Sequence, residues 1–204
     1  MEAAKQLSVR VDELRSTLQL LDPEQVALRS GTSYLMLGPG RGELHIPFWK
    51  KVCILAWPEL TGYDNRAEPL TDFQLTFLLY HLLTADGTPL SGKWVSFADL
   101  PDGRTYNAAF QGYSGDEVVK TFGLNLDSFR QACLSSGGQE TDFASTSFTF
   151  HPLPLVPLLI TYWLGDEDFP SSCKILFDET ACRYLTIDAC AILGSMLVRR
   201  LIHP

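Results

Sequence analysis

Apolar positions along the first third of the chain change spacing, and each change predicts a new element. Residues 4–20 carry leucine and valine at three- and four-residue intervals, which is the spacing of an amphipathic helix. The triplet Asp22-Pro23-Glu24 predicts the start of a second short helix, because aspartate caps a helix and proline suits its first turn. From Ser33 to Trp57 the pattern becomes short β-prone runs. The glycine cluster at 38–42 lacks both phosphate-loop spacings and therefore predicts a hairpin turn.

The middle of the chain is predicted to hold one strongly apolar helix and two shorter ones. Thr71 caps a run of apolar residues that ends at Asp86-Gly87. His81 falls on the polar stripe of this helix, which predicts a histidine facing solvent or a groove edge. Between Trp94 and Tyr113 aromatic residues alternate with turn residues, so irregular segments and a short strand are expected there. The two short helices are expected at about 115–122 and 126–135.

The last third predicts a buried antiparallel sheet followed by a helix. Alternating residues at 145–150 indicate a half-exposed strand, and two apolar runs at about 156–163 and 172–177 indicate a strand pair. A final helix is expected from Thr186 to about Ile202. No linker or repeat divides the chain, so a single α+β domain over residues 1–204 is predicted, with a mostly antiparallel sheet packed against helices. Residues 1–30 would form an N-terminal helical extension, and a helix would end the chain.

Composition limits the function. The 204 residues are 46% hydrophobic and 20% charged, which is enough for a globular core. The net charge of −8 argues against nucleic acid as a partner, because binding to a phosphate backbone needs a basic face. The sequence shows neither a secretory leader nor a run of the ~18–20 apolar residues that a membrane span needs. A cytoplasmic location without membrane contact is therefore expected.

The five cysteines argue against a metal cluster. Eight residues lie between Cys173 and Cys182 and seven between Cys182 and Cys190, and neither gap matches a zinc or iron–sulfur spacing. The chain therefore carries no iron–sulfur motif, and buried thiols in a reducing compartment are the expected state. The alternative is that Cys182 and Cys190 meet in the fold.

Candidate chemistry gathers where the predicted strand pair reverses. Asp166, Glu167 and Asp168 are consecutive, and alternate side chains of an extended segment share a side, so Asp166 and Asp168 are candidate metal ligands. The alternative is a solvated tip whose aspartates accept hydrogen bonds from nearby backbone N–H groups. Asp178 is placed as the N-cap of a short following helix.

The residues around these acids are expected to shape the turn. Gly165 would permit it, Pro170 would stiffen its exit, and the rings of Trp163 and Phe169 would anchor it. The candidate ligand-binding or structural motif comprises Trp163, Gly165, Asp166, Glu167, Asp168, Phe169, Pro170 and Asp178.

In these residues the chain resembles the domain-of-unknown-function family numbered 3786, over about residues 70–201. The shared motifs are Val156-Pro157-Leu158, Trp163-x-Gly165-Asp166-Glu167-Asp168-Phe169-Pro170, Leu176-Phe177-Asp178, Tyr184-Leu185, and upstream Gly87-x-Pro89-Leu90-x-Gly92-x-Trp94-Val95-x-Phe97 and Leu100-Pro101-x-Gly103. The resemblance implies an association with anaerobic redox or corrinoid metabolism but no assigned activity. Family members that carry an iron–sulfur segment differ from this chain, which lacks the closely spaced cysteines.

Three functional hypotheses follow. The first is a non-catalytic ligand-binding or accessory domain, because no nucleophile, base and acid can be assembled from local motifs and the four histidines are scattered. The second is a metal-dependent hydrolase or lyase that uses Asp166 and Asp168 and needs His45 or His151 beside them. The third is a protein-interaction module that forms a homodimer through the N-terminal helix. The sequence favours the first, with a small molecule or a protein as the partner.

Overall fold

Helices and antiparallel strands follow one another in groups along the chain, and the computed structural model describes residues 2–203, with side chains from residue 6 onward. Two compact units form. Unit 1 comprises the chain up to Pro89 with residues 153–155 and 183–186, and unit 2 comprises residues 90–152, 156–182 and the chain from 187. The α+β fold class is confirmed. The prediction of a single domain over the whole chain stays a prediction.

Unit 1 contains three helices and a four-stranded antiparallel sheet of order β1-β2-β3-β4 among the described residues. Its elements are α1 (Glu2–Leu18), α2 (Pro23–Ser30), β1 (Ser33–Gly38), β2 (Arg41–Phe48), β3 (Lys51–Trp57), β4 (Gly62–Asp64) and α3 (Asp72–Thr84). Alternate residues of β2 and β3, such as Leu44, Ile46 and Leu55, are buried and form one apolar sheet face. The apolar side of α1, with Leu14 and Leu18, is buried as well.

Local capping signals determine where these helices begin. Asp22 accepts a hydrogen bond from the backbone N–H of Glu24 over 2.9 Å, and Pro23 occupies the first turn of α2, as predicted. Thr71 and Gln74 form a reciprocal capping box at the start of α3. Both helix starts are therefore confirmed.

His81 lies on α3 and is fully buried, so the expectation that it faces solvent or a groove edge is wrong. Its Nδ1 lies 3.3 Å from the carbonyl oxygen of Tyr184. Burial lowers the pKa of His81 to about 4, and the nearby carbonyls only partly offset this effect. The prediction failed because α3 is covered on nearly its whole circumference, which leaves no solvent-facing stripe at this position.

Unit 2 is built on a five-stranded sheet of order β5-β9-β8-β7-β6. Its elements are β5 (Trp94–Ser96), α4 (Gly103–Tyr113), α5 (Gly115–Phe122), α6 (Leu126–Ser135), β6 (Gln139–Glu140), β7 (Ser147–Leu153), β8 (Val156–Trp163), β9 (Ser172–Asp178) and α7 (Ile187–Ile202), with short 3-10 helices at Phe97–Asp99 and Ala181–Arg183. β8 pairs with β9 from Leu158↔Phe177 to Trp163↔Ser172, which confirms the predicted strand pair. The helices expected at about 115–122 and 126–135 are also confirmed.

The segment 103–113 forms helix α4, so the expectation of irregular structure there is wrong. The glycines and aromatics of this segment are weak helix formers. Tertiary packing outweighs that weakness: Phe110 is buried, and its ring stacks on Phe97 with centroids 4.2 Å apart. Among the described residues, none of the helices is both long and apolar enough to cross a membrane.

Candidate functional site

A groove of about 520 Å³ lies in unit 2 beside β9 and the helices α4 and α5. Its apolar lining includes the half-buried Val119 and the stacked rings of Phe97 and Phe110, which are only 2% and 1% exposed. Its polar border is formed by Ser96, Asn107, Gln111, Asp116, Lys120 and Lys174. An apolar surface with a few polar groups around it is the usual composition of a small-molecule site.

Close contact between α5 and β9 forms one wall of the groove. Gln111 donates a hydrogen bond from Nε2 to the carbonyl oxygen of Cys173 over 2.8 Å. Gly115 sits at the start of α5, where an added Cβ would clash with that same carbonyl oxygen and with Gln111 Nε2. A glycine is therefore required at 115 for the helix to approach the strand this closely.

The charges on the groove border are mixed but include two lysines. Lys174 is exposed on β9, and Lys120 is exposed on α5 with its Nζ 3.6 Å from the carboxylate of Glu117. Asn107 and Gln111 lie four residues apart, so both amides project from the same side of α4. Two ammonium groups and two amides can bind an anionic or carbonyl-bearing group by hydrogen bonding.

The turn between β8 and β9, residues 165–170, is called the acidic turn below. Asp166 Oδ1 accepts hydrogen bonds from the backbone N–H groups of Asp168 and Phe169 over 2.9 and 2.8 Å. The backbone N–H of Asp166 in turn donates to the carbonyl oxygen of Phe169 over 2.9 Å. This geometry is the Asx turn that the solvated-tip alternative describes.

Gly165 and Ser171 close the base of the acidic turn. The backbone N–H of Gly165 donates to Ser171 Oγ over 2.9 Å. A Cβ at Gly165 would lie 2.5 Å from the backbone nitrogen of Ser171, so this close approach requires glycine. Because Ser171 also lines the groove, the acidic turn and the groove meet at this residue.

Of the two aromatic residues that flank the acids, only Phe169 is largely exposed, and the anchoring role of Trp163 stays a prediction. Phe169 is 71% exposed and Trp163 is 37% exposed. The anchoring role predicted for Phe169 is therefore wrong, because the Asx-turn hydrogen bonds fix the turn without its ring. Glu167, Asp168 and Pro170 are exposed as well.

The carboxylates of the acidic turn face solvent, and none of them lines the groove. Within residues 2–203, no three His, Cys, Asp or Glu side chains gather into a group able to hold a metal ion. Asp166 Oδ1 is already engaged by two backbone donors. Metal binding at Asp166 and Asp168 stays a prediction, without a third ligand in the described part of the chain.

Asp178 is buried at the end of β9, with 2% of its surface exposed. Its Oδ1 accepts from the N–H and Oγ of Ser91 and of Thr180, and its Oδ2 accepts from the N–H of Gly92 over 2.8 Å. Burial alone would raise the pKa of Asp178, but the donors from Thr180, Ser91 and Gly92 outweigh it and hold the pKa below its ordinary value.

The N-cap role predicted for Asp178 needs correction. Its bond to Thr180 is a local capping contact, but the 3-10 helix begins later, at Ala181. The main effect of the carboxylate is to fasten residues 91–92 to the end of β9. Asp178 and the acidic turn lie at opposite ends of β9, so they do not share a site.

The groove residues were missed because the segment that carries two of them was not recognised as helical. Asn107 and Gln111 have the four-residue spacing of neighbours on one helix face. A prediction of helix at 103–113 would have paired these amides. Lys174 and Lys120 come from distant segments and give no signal in the sequence.

Comparison with known proteins places the chain in a family. A family model described as "Domain of unknown function (DUF3786)" matches residues 22–200. The chain belongs to the DUF3786 family. The match begins well before residue 70, so it adds α2, the sheet of unit 1 and its connections to the region identified by resemblance.

Part of this DUF3786 chain is similar to Teneurin-3 of Danio rerio, with 28% identity over 117 residues. The aligned region is 57% of this chain and 4% of the length of that protein. No solved structure matches the chain.

Proposed function

We propose that this DUF3786 chain is a non-catalytic ligand-binding or accessory domain whose ligand occupies the groove of unit 2. The observation that supports this proposal is the groove itself, whose volume of about 520 Å³ is large enough for a small metabolite. Ligand sites in proteins typically have volumes of about 300–1,000 Å³.

The chemistry of the groove favours binding over catalysis. Cys173 is the thiol among its lining residues, and burial raises the pKa of this thiol well above its ordinary value, which keeps it protonated and weakly nucleophilic. No histidine is among the described residues that line the groove, so its serines have no imidazole there to act as a general base.

The ligand proposed for the groove is a small molecule that carries a carboxylate or phosphate beside an apolar part. The half-buried Val119 provides apolar surface for that part, next to the buried rings of Phe97 and Phe110. Lys120 and Lys174 provide ammonium groups for its anion, and Asp116 disfavours a second negative charge near α5.

A titration followed by two-dimensional NMR of the isotope-labelled protein tests this proposal. The probes are phenyl phosphate and benzoate, with benzylamine as a cationic probe of similar size. The two anions are expected to shift the backbone resonances of Asn107, Gln111 and Lys174, whereas benzylamine is expected to leave them unchanged.

Charge reversal provides the matched control. The double variant Lys120→Glu/Lys174→Glu is expected to lose anion binding, and Lys50→Glu, which changes a lysine that is not among the groove residues, is expected to retain it. The proposal is contradicted if neither anion shifts the resonances of the groove residues, or if the anions bind the double variant as well as the wild-type protein.

The other hypotheses have less support. A homodimer through α1 needs a free apolar face, but Val11, Leu14 and Leu18 of α1 are buried within the chain. A hydrolase or lyase at Asp166 and Asp168 needs a histidine beside them in a concavity, and these carboxylates face solvent. The association with corrinoid or anaerobic redox metabolism rests on the family resemblance, and the cytoplasmic location stays a prediction.

A further inference from the structure

The four-stranded sheet of unit 1 has one covered edge and one open edge. At the β4 edge, the backbone N–H of Leu70 donates to the carbonyl oxygen of Gly62 over 2.9 Å, and residues 68–70 run alongside the strand. The other edge is β1. In the described part of the chain, no backbone hydrogen bond joins residues 33–38 to anything other than β2. The outer side of β1 is therefore a row of backbone donors and acceptors without partners in the chain.

The side chains of β1 are apolar, and they are exposed on both faces of the sheet. Leu35, Met36 and Leu37 are 50%, 61% and 64% exposed. Consecutive side chains of a strand point to opposite faces, so neither face of β1 is covered. The strand Ser33–Gly38 contains neither a charged residue nor a proline, which are the residues that usually keep an edge strand from pairing.

The backbone of an edge strand is satisfied by another extended segment, and the charge of the chain favours a second copy of β1 as that segment. The net charge of −8 makes two copies repel each other on average. Two β1 strands can nevertheless meet without burying a charge or opposing like charges, because β1 has no charged residue. A strand that pairs antiparallel with itself about a twofold axis is also self-complementary, so each copy covers the apolar side chains of the other.

We propose that β1 pairs antiparallel with β1 of a second copy of this chain, which joins the two four-stranded sheets into one continuous sheet. This pairing uses the open edge of each copy, and the β4 edge is covered, so assembly stops at the dimer. The pairing of β1 with β2 is regular from Ser33 to Met36 and shifts before Gly38, so the length available for pairing is short. An interface of this kind falls at the small end of the size range, below about 1,200 Å², and the dimer is weak and reversible.

Sedimentation velocity of the full chain over a wide range of concentrations tests the proposal. The average mass of the wild-type protein is expected to rise with concentration from that of one chain toward that of two, and no higher. Met36→Lys is expected to keep the mass of one chain at concentrations where the wild-type protein is dimeric, because pairing would place two ammonium groups at the new contact. Val52→Lys is the matched control. It adds the same charge at an exposed apolar residue of β3, which has a strand on each side, and it is expected to dimerise like the wild-type protein.

Hydrogen exchange of the wild-type protein locates the contact. The backbone amides of residues 33–36 are expected to exchange more slowly at high than at low concentration, whereas those of β4 are expected to exchange equally at both. The mass of one chain at every concentration overturns the proposal, whether or not β1 takes up an extended peptide of another protein. Growth beyond two chains, protection confined to other residues, or undiminished dimerisation of Met36→Lys overturns it as well. The exchange of the wild-type protein decides the question even if the variant does not fold.

Discussion

Replacement of Asp178 by asparagine isolates the contribution of the buried carboxylate with little change in side-chain shape. In the wild-type protein this carboxylate accepts five hydrogen bonds, four at Oδ1 and one at Oδ2. Asparagine retains one acceptor oxygen and introduces an NH₂ group. Whichever way the amide turns, the NH₂ faces either the Gly92 N–H or the donors from Ser91 and Thr180, so donor opposes donor.

The magnitude follows from the number of hydrogen bonds that are lost. A hydrogen bond to a charged group contributes about 1.5–3 kcal/mol, and a buried unsatisfied donor adds its desolvation cost. Asp178→Asn is therefore expected to lower the free energy of unfolding of this region by about 3 kcal/mol. Because the donors hold the pKa of Asp178 below its ordinary 3.8, the wild-type stabilisation is complete at neutral pH and is lost as pH falls through the folded-state pKa.

Native-state hydrogen exchange at neutral pH measures this effect where it occurs. The amides of Ser91, Gly92 and Thr180 donate to Asp178, so their exchange is expected to accelerate by about 100-fold in the variant, if it proceeds by local opening. Glu179→Gln is the matched control, because Glu179 is exposed and pairs with Lys93 at the surface over 2.7 Å. Unchanged exchange in Asp178→Asn, or equal acceleration in Glu179→Gln, refutes this account of Asp178.

Two further predictions concern pH and packing. Burial lowers the pKa of His81 to about 4 in the folded protein, whereas its ordinary value is about 6.5. The contribution of the neutral ring to the free energy of unfolding is therefore complete above about pH 6.5, and about 3 kcal/mol of it is lost as the pH falls to about 4. Urea unfolding at several pH values in this range detects the loss. If the free energy of unfolding depends on pH just as strongly in His81→Gln, the prediction is contradicted. Gly115→Ala is expected to cost about 1–3 kcal/mol through overpacking. Gly112→Ala, where an added Cβ meets nothing within 4 Å, is the control and is expected to be neutral or stabilising by thermal denaturation.

Features that depend on neighbouring residues in the sequence were predicted well. The starts of α2 and α3 follow from Asp22-Pro23 and from Thr71 with Gln74, because a cap and the groups it satisfies lie within one turn. The β8–β9 pair follows from two apolar runs joined by a polar turn. The Asx turn at Asp166 is also local, and it is one of the two structures that the sequence predicts for the acidic turn.

Features that depend on distant residues were missed. The donors of Ser91 lie 87 residues before Asp178, so no local pattern reveals that Asp178 is a buried hydrogen-bonding centre. Helix α4 is stabilised by the contact of Phe110 with Phe97 rather than by the helix propensity of its own residues. The groove combines side chains from α4, α5 and β9, and such a site exists only once the chain has folded.

The central claim is that the ligand of this DUF3786 chain binds in the groove of unit 2 and not at the acidic turn. The most direct measurement is the complete map of backbone resonances that move when phenyl phosphate is added to the labelled protein. The account predicts that the largest changes fall on Asn107, Gln111 and Lys174. Changes confined to the resonances of Asp166, Glu167 and Asp168, with those of the groove residues unchanged, would contradict it.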